Sequence, residues 1–135
     1  MDHPIEWRYP RAPRSVPHAR ARLAAQAREW KLPDDTAETA VLLLSELMAN
    51  ACRHARVPAG REVWVRCLLS GERLRVEVLD AGCELPVPRE ARPLDESGRG
   101  LAIVAALAGA WGAYPRECGI GKAVWFELGF EFTAR

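Results

Sequence analysis

The chain has 135 residues, of which 49% are hydrophobic, and this size and composition fit one compact domain with a two-layer core. Its 19 Lys and Arg residues nearly balance its 18 Asp and Glu residues, so no excess of positive charge is available for a phosphate backbone and we expect no nucleic-acid partner. The sequence has no apolar run near the ~18 residues of a membrane span and no signal-peptide core. We therefore expect a cytoplasmic protein with no membrane partner.

Cysteine and lysine usage bear on compartment and origin. The cysteines are far apart and include no C-x-x-C pair, so we expect reduced, mostly buried thiols and neither a structural disulfide nor a zinc site. These are Cys52, Cys67, Cys83 and Cys118. Lysine occurs only at Lys31 and Lys122, and this strong preference for arginine is typical of G+C-rich bacterial genomes.

The first predicted elements are a short edge strand and a helix. Residues 5–9 (IEWRY) alternate apolar and polar side chains and stop at Pro10, as an edge strand does. Helix-forming Ala and Arg residues run over about residues 18–30, and Ser15 or Pro17 can open this helix. The Leu-Pro pair that follows ends it.

The second helix is the longest predicted element. Asp34 and Asp35 cap its start, and the helical periodicity continues to about Ala55. Apolar residues at helical spacing form one stripe along it, which we expect to face the core. The stripe consists of Ala40, Leu44, Leu47, Met48 and Ala51.

Two strands and a long loop follow the second helix. Residues 63–69 and 74–79 are rich in strand formers, and Ser70-Gly71-Glu72 separates them, which predicts an antiparallel hairpin. The second strand ends abruptly at Asp80. Residues 83–97 (CELPVPREARPLDES) combine three prolines with many charges and have no apolar period, which predicts a long loop.

A third helix and further strands complete the predicted order. Gly98-Arg99-Gly100 starts an Ala- and Leu-rich helix that we expect to end near Trp111-Gly112, and residues 123–130 alternate as a strand. The order β-α-α-β-β-loop-α-β-β predicts an α+β fold with its helices on one face of a mixed, mainly antiparallel sheet. We expect one domain over residues 1–135.

Three polar side chains share one face of the second helix. At about 100° per residue, Glu46, Asn50 and Arg53 lie within an arc of roughly 60°, away from the apolar stripe. The amide oxygen of Asn50 is a suitable ligand for Mg²⁺. Glu46 is close enough to receive a proton from a molecule bound at the same helix face. The alternative is a solvated helix face, because Glu and Asn are common on exposed helix surfaces.

A second polar motif stands where the apolar strand ends. The carboxylate of Asp80 can accept a hydrogen bond from an amino group such as that of adenine. Gly82 has no side chain, so the backbone there can approach a flat ring. The alternative is an ordinary Asp-x-Gly turn, in which both residue types are favoured for local reasons.

A third motif is the Gly98-Arg99-Gly100 segment at a helix start, where free N–H groups and the helix dipole favour phosphate. A dinucleotide-binding G-x-G-x-x-G is excluded because Ile103 stands where glycine is required. A P-loop at Gly121-Lys122 is excluded as well, since Arg116 and Ala123 occupy the glycine and the Ser/Thr positions. A G-x-G pair alone is weak evidence.

Together the three motifs resemble those of one superfamily. Residues 46–51 (ELMANA) resemble the N box, residues 80–82 (DAG) the first glycine box and residues 98–101 (GRGL) the second glycine box of the GHKL ATPases. That group contains gyrase B, Hsp90 and the histidine kinases, and the resemblance covers about residues 5–130. Within it, the chain is most similar to bacterial anti-sigma factor serine kinases and their regulatory relatives.

The resemblance implies a Bergerat-type two-layer sandwich that binds ATP with Mg²⁺. Asn50 would coordinate the metal, Glu46 would act as the base for an attacking hydroxyl, and Asp80 would bind the adenine amino group. Residues 83–97 would form a lid over the nucleotide. The other positions that would contact the nucleotide are Gly82, Gly98, Arg99, Gly100, Leu101 and Lys122.

The chain departs from the family pattern at three positions. Glu84 stands where a further glycine is usual, and Glu96 stands where some family kinases have an Arg that meets the γ-phosphate. Lys122 replaces a Thr that is frequent near the adenine. These changes affect catalysis more than nucleotide binding.

Two functional hypotheses follow from the resemblance. The first is a protein serine kinase that phosphorylates a small anti-anti-sigma-type partner and also sequesters a sigma factor. The second is a nucleotide-gated binding module that changes its affinity for a partner without transferring phosphate. Many relatives are dimers, so we also consider a homodimer.

Overall fold

The structure is a computed structural model that describes residues 4–54, 62–80, 103–104, 106–115 and 122–132. Residues 103–104 and 106–107 are helical. The longer elements are β1 (Ile5–Pro10), α1 (Ser15–Glu29), α2 (Asp34–His54), β2 (Glu62–Ser70), β3 (Arg73–Asp80), β4 (Ala110–Pro115) and β5 (Lys122–Gly129). No helix in these ranges is both long and apolar enough to cross a membrane.

The strands form one five-stranded sheet in the order β1-β2-β3-β5-β4. The α+β class is confirmed, and each of the strand pairings described is antiparallel, where the sequence predicted a mixed, mainly antiparallel sheet. The predicted β2–β3 hairpin is also confirmed. Its turn places Gly71 at a φ of 60°, a left-handed conformation that glycine adopts without a Cβ penalty.

Local hydrogen bonds set the bounds of α1. At its start, the Ser15 hydroxyl donates to the carbonyl oxygen of Pro10 at 2.6 Å. At its end, Lys31 has a φ of 59°, and the N–H of Leu32 donates to Ala27 O at 3.0 Å. This Schellman-type closure satisfies carbonyl groups that a helix end otherwise leaves unpaired, and it reverses the chain so that α2 packs beside α1.

Both long helices lie on one face of the sheet, as predicted. α2 packs on β2, β3 and β5, and α1 lies beside it, near β1. All members of the predicted α2 stripe are buried, from Ala40 at 0% to Ala51 at 4% exposure. They face buried sheet residues that alternate along the strands: Val63, Val65, Cys67, Leu74, Val76, Val78, Val124, Phe126 and Leu128.

Two cysteines can be compared with the expectation of reduced thiols. Cys52 and Cys67 are both free thiols. Cys67 is fully buried on the helix-covered face, and this burial raises the pKa of its thiol to about 12. Cys83 and Cys118 lie outside the described residues.

The predicted end of the third helix is wrong. The last helical hydrogen bond described there runs from Ala108 N–H to Val104 O at 2.9 Å, and the next residue, Gly109, already donates to Glu127 O on β5. The chain then continues as β4, paired with β5 from Ala110 onward. Hydrogen-bond partners on β5, together with the strand-forming residues of β4, outweigh the helix propensity of this Ala-rich stretch.

The sheet face opposite the helices, which we call the outer face, carries a connected set of ion pairs. Arg66 lies 3.1 Å from Glu6 and 3.5 Å from Glu77, and Arg75 lies 2.9 Å from Glu77 and 3.0 Å from Glu127. We call this set the ion-pair ladder. Several of its bonds join neighbouring strands, so it helps to keep the strands in register.

Candidate nucleotide-binding site

One end of the sheet gathers the ends of several strands. β3 finishes at Asp80 and β5 begins at Lys122, and the antiparallel register places these two residues opposite each other. At the same end, β4 finishes at Pro115 opposite Lys122, and β1 finishes at Pro10 opposite Glu62. The fold thus brings together two of the residues that the sequence singled out, although they are far apart in the chain.

Among the candidate residues that the structure describes, Asp80 is the most deeply buried, with 2% of its surface exposed. A buried carboxylate is costly unless polar groups satisfy its oxygens, and those oxygens only accept hydrogen bonds when ionised. An ordinary Asp-x-Gly turn favours aspartate for local backbone reasons and does not require this burial. The burial of Asp80 therefore favours the hypothesis of a built site at the end of β3.

Glu46 and Asn50 lie one helical turn apart on α2, and both are half-buried. Leu47 and Met48, between them in sequence, are buried against the core. Partial burial differs from the fully solvated polar stripe of the alternative interpretation, because it leaves these side chains at the border between core and solvent. The side chain of Arg53, the third member of the predicted face, lies outside the described part of the structure.

The oxygen ligands on α2 fit magnesium in kind. An amide oxygen is a hard ligand, and Mg²⁺ commonly takes only one or two protein ligands besides phosphate and water. Within the described residues, no group of three or more His, Cys, Asp or Glu side chains could hold a metal ion. The role of Asn50 as a magnesium ligand stays a prediction.

Cys52 and Arg11 belong to the same region, although no local sequence pattern indicates either of them. The pKa of the Cys52 thiol is raised, mainly by burial and to a smaller extent by the negative charge of Asp80. A backbone hydrogen bond with Ala12 and the positive charge of Arg11 act in the opposite direction. The β1-β2-β3 register carries the end of β1 to the end of β3, and α2, which holds Cys52, packs across β2 and β3.

The remaining predicted contacts lie outside the described residues. These are the lid over residues 83–97 and the positions Gly82, Gly98, Arg99, Gly100 and Leu101. Their roles therefore stay predictions.

Comparison with known proteins identifies the family. The family described as the histidine kinase-like ATPase domain matches residues 9–127, which is 119 of the 135 residues. The chain belongs to this family. No curated protein matches the chain.

Membership in the histidine kinase-like ATPase family confirms the predicted GHKL superfamily and agrees with the Bergerat-type fold. The matched span contains Glu46, Asn50, Asp80 and Lys122. Domains of this family bind ATP, and this supports an ATP-binding regulatory function for the chain.

Proposed function

We propose that this protein binds Mg-ATP at the sheet end marked by Asp80 and Lys122 and uses the nucleotide to regulate a protein partner. One observation carries the proposal. A carboxylate with 2% exposure closes β3 in a chain that matches a histidine kinase-like ATPase domain over residues 9–127. The chemistry of the neighbouring residues supports the same assignment.

Adenine recognition follows from the donor and acceptor properties of the two opposed residues. A lysine ammonium only donates hydrogen bonds, so in this pair Asp80 is the side chain that can accept one from the adenine amino group. Guanine presents a carbonyl oxygen at the equivalent position and would leave the carboxylate facing another acceptor. The site should therefore prefer ATP to GTP.

The test is calorimetric titration of Asp80→Asn with ATP and with GTP. We expect a loss of more than ~1 kcal/mol in ATP affinity, or roughly fivefold or more, because a charged hydrogen-bond acceptor is replaced. Asp34→Asn is the matched control, since Asp34 is exposed in the first turn of α2 and should leave affinity unchanged. Similar affinities of the wild type for ATP and GTP would contradict the role of Asp80.

The metal assignment rests on Asn50. Asn50→Ala should weaken binding of ATP with Mg²⁺ much more than binding of ATP in the presence of a chelator, because the variant loses a metal ligand and not a contact to the base. Gln26→Ala on α1 provides a control that removes another half-buried amide. Equal losses with and without Mg²⁺ would remove Asn50 from the metal site.

Phosphoryl transfer to a protein serine is the more specific part of the proposal. Glu46 would take the proton of the incoming serine hydroxyl, while the serine oxygen bonds to the γ-phosphorus and the bond to the bridging oxygen of ADP breaks. The bound Mg²⁺ would supply charge neutralisation for this step. The substrate would be a small anti-anti-sigma-type domain, and the protein would also bind a sigma factor.

Single-turnover phosphorylation of a genomically linked antagonist domain tests this step. Glu46→Gln should abolish transfer at unchanged ATP affinity, whereas Glu38→Gln, an exposed change on the same helix, should not. Absence of transfer by the wild type despite tight ATP binding would favour the nucleotide-gated binding module. The acidic residues Glu84 and Glu96 favour that second function, because they place negative charge where some family kinases have glycine or arginine.

A further inference from the structure

Oppositely charged residues face each other directly at four places in the register of the described strands. Three of these pairs belong to the ion-pair ladder and are closed at distances of 3.0 to 3.5 Å: Glu6 with Arg66, Arg66 with Glu77, and Arg75 with Glu127. The fourth pair is Asp80 with Lys122. Within the described residues the ammonium of Lys122 makes no ion pair, so this pair is open where the other three are closed.

The side chains of Asp80 and Lys122 point to the helix-covered face of the sheet. Side chains alternate along a strand, and Val78 and Val124, each two residues away, are buried under the helices. Directly opposed residues have their Cβ atoms about 4.5–5.5 Å apart. Asp80 is buried and Lys122 is half-buried. A hydrogen-bond acceptor and a hydrogen-bond donor therefore stand side by side at the border of the core.

The choice of lysine at this position stands out in a chain that otherwise uses arginine. Of its 19 basic residues only Lys31 and Lys122 are lysines, and Lys31 lies in the exposed turn between α1 and α2. Arginine presents a rigid fork that suits two parallel acceptors, whereas lysine presents one ammonium group on a flexible stem. Lys122 is therefore suited to a single acceptor atom beside Asp80.

Adenine carries a matching donor and acceptor on its Watson–Crick edge. Its amino group donates hydrogen bonds, and the neighbouring ring nitrogen N1 accepts one. An ionised carboxylate only accepts and an ammonium group only donates, so an amino group held by Asp80 leaves N1 facing Lys122. Guanine in the same orientation presents a carbonyl oxygen and an N1–H group. Both residues would then oppose the base.

We propose that Lys122 is a specificity-determining residue whose ammonium group donates a hydrogen bond to N1 of adenine, while Asp80 accepts one from the adenine amino group. This inference rests on the proposed function, because it requires ATP at this end of the sheet. The base closes the open pair by lying between its two charges. Asp80 reads the group at position 6 of the ring, and Lys122 rejects bases that carry a hydrogen atom on N1.

Deletion of the single acceptor atom from the ligand tests the contact in the unaltered protein. The wild type is titrated by calorimetry with ATP and with 1-deaza-ATP, in which a C–H group replaces N1, both in the presence of Mg²⁺. We expect 1-deaza-ATP to bind at least ~10-fold more weakly, because the ammonium group loses a charged hydrogen bond. The control is 7-deaza-ATP, which keeps N1 and should bind nearly as tightly as ATP.

The variant Lys122→Met keeps the length of the side chain and removes its charge. It should bind ATP about as weakly as the wild type binds 1-deaza-ATP, and it should no longer distinguish the two nucleotides. Lys31→Met, a change of the other lysine, should keep the full discrimination of the wild type.

The outcomes separate this inference from the proposed function. Tight ATP binding by the wild type with equal affinity for 1-deaza-ATP would overturn the role of Lys122 and leave the ATP site in place, even if Lys122→Met did not fold. Retained discrimination in a folded Lys122→Met protein would also overturn it, because its lysine would then contact the phosphates or no part of the nucleotide. A wild type that binds no ATP would overturn the inference and the proposed function together.

Discussion

The two faces of the sheet come from the same strands but are built in different ways. Along β2, Cys67 is fully buried under the helices, while its neighbour Arg66 points to the outer face and bonds to Glu6 and Glu77. Apolar burial contributes about 25 cal/mol per Å², whereas a partly exposed ion pair contributes at most about 1 kcal/mol. The helix-covered face therefore supplies most of the stability, and the outer face mainly specifies which strands are neighbours.

The ion-pair ladder fits this second role because its bonds cross strand boundaries. Glu6 on β1 meets Arg66 on β2, Arg66 meets Glu77 on β3, and Arg75 on β3 meets Glu127 on β5. A one-residue slip of any of these strands would turn its charged side chains toward the apolar core. Each bond is weak, but together they penalise wrong registers.

The largest effect is expected from the centre of the helix-covered face. Phe126→Ala should lower the free energy of unfolding by about 3–5 kcal/mol, because Phe126 is a fully buried large side chain and truncation leaves a cavity. Phe132→Ala is the control, since Phe132 is 43% exposed and should cost less than about 1 kcal/mol. Urea denaturation measures both. Equal losses would mean that the helix-covered face does not dominate stability.

The alkaline stability of the protein should depend on Cys67. Burial raises its folded-state pKa from 9.0 to about 12, so above pH 9 the thiol ionises in the unfolded chain before it ionises in the folded one. The contribution of the Cys67 thiol to the free energy of unfolding should therefore be fully present below pH 9. It should fall by about 1 kcal/mol per pH unit as the pH rises toward 12. Cys67→Val removes this component, and its denaturation midpoint should decline less steeply with alkaline pH. Parallel declines would contradict the prediction.

The smallest effects are expected on the outer face, where Arg75 of the ion-pair ladder and the neighbouring Arg73 share the Glu127 carboxylate. Arg75 bonds to Glu77 and Glu127 and lies 4.1 Å from the centroid of Trp125, whereas Arg73 bonds to Glu127 and is 62% exposed. Arg75→Ala should therefore cost about 1 kcal/mol and Arg73→Ala less than about 0.5 kcal/mol. Thermal unfolding at low and high salt distinguishes the two. A larger cost for Arg73→Ala would contradict this ranking.

The stability of the protein at acidic pH should depend on the ion pair between Arg75 and Glu127. The hydrogen bond from Arg75 is the main cause of the lowered pKa of Glu127, so this carboxylate stabilises the fold above its ordinary pKa of 4.5 and loses that contribution as the pH falls. In Arg75→Ala the acid dependence of unfolding should be weaker than in the wild type. Chemical denaturation between neutral and acidic pH checks this expectation.

The parts of the fold that were predictable are those whose signal is local. The α2 stripe repeats at helical spacing, and the β2–β3 hairpin carries its turn signal in Gly71, so the residues alone are enough to infer both elements. β4 could not be inferred in this way, because its strand state depends on hydrogen bonds to β5 that no local propensity records. The Ala-rich residues that precede Trp111 favour a helix by local propensity, but from Ala110 onward the backbone pairs with β5 instead.

The candidate site divides in the same way. Asp80 and Asn50 were found because each sits in a short motif on the element type its chemistry requires. The position of Asp80 opposite Lys122 is a consequence of strand register, and its nearness to Cys52 is a consequence of α2 packing on β3. The sequence encodes neither of these locally. Conversely, the kinase subtype depends on residues outside the described ranges and on a partner.

The position of β3 has a consequence for how the protein folds. Its two neighbours join it across very different lengths of chain, because β2 is reached through the tight turn at Gly71 while β5 returns only after residues 81–121. The entropy of loop closure makes the second pairing slower, and β5 leaves the ribosome later than the other strands described here. Until then one edge of β3 has no partner, and the nascent hairpin is exposed to strands of other chains. In pulse-labelling hydrogen exchange during refolding, the amides shared by β2 and β3 should gain protection before those shared by β3 and β5.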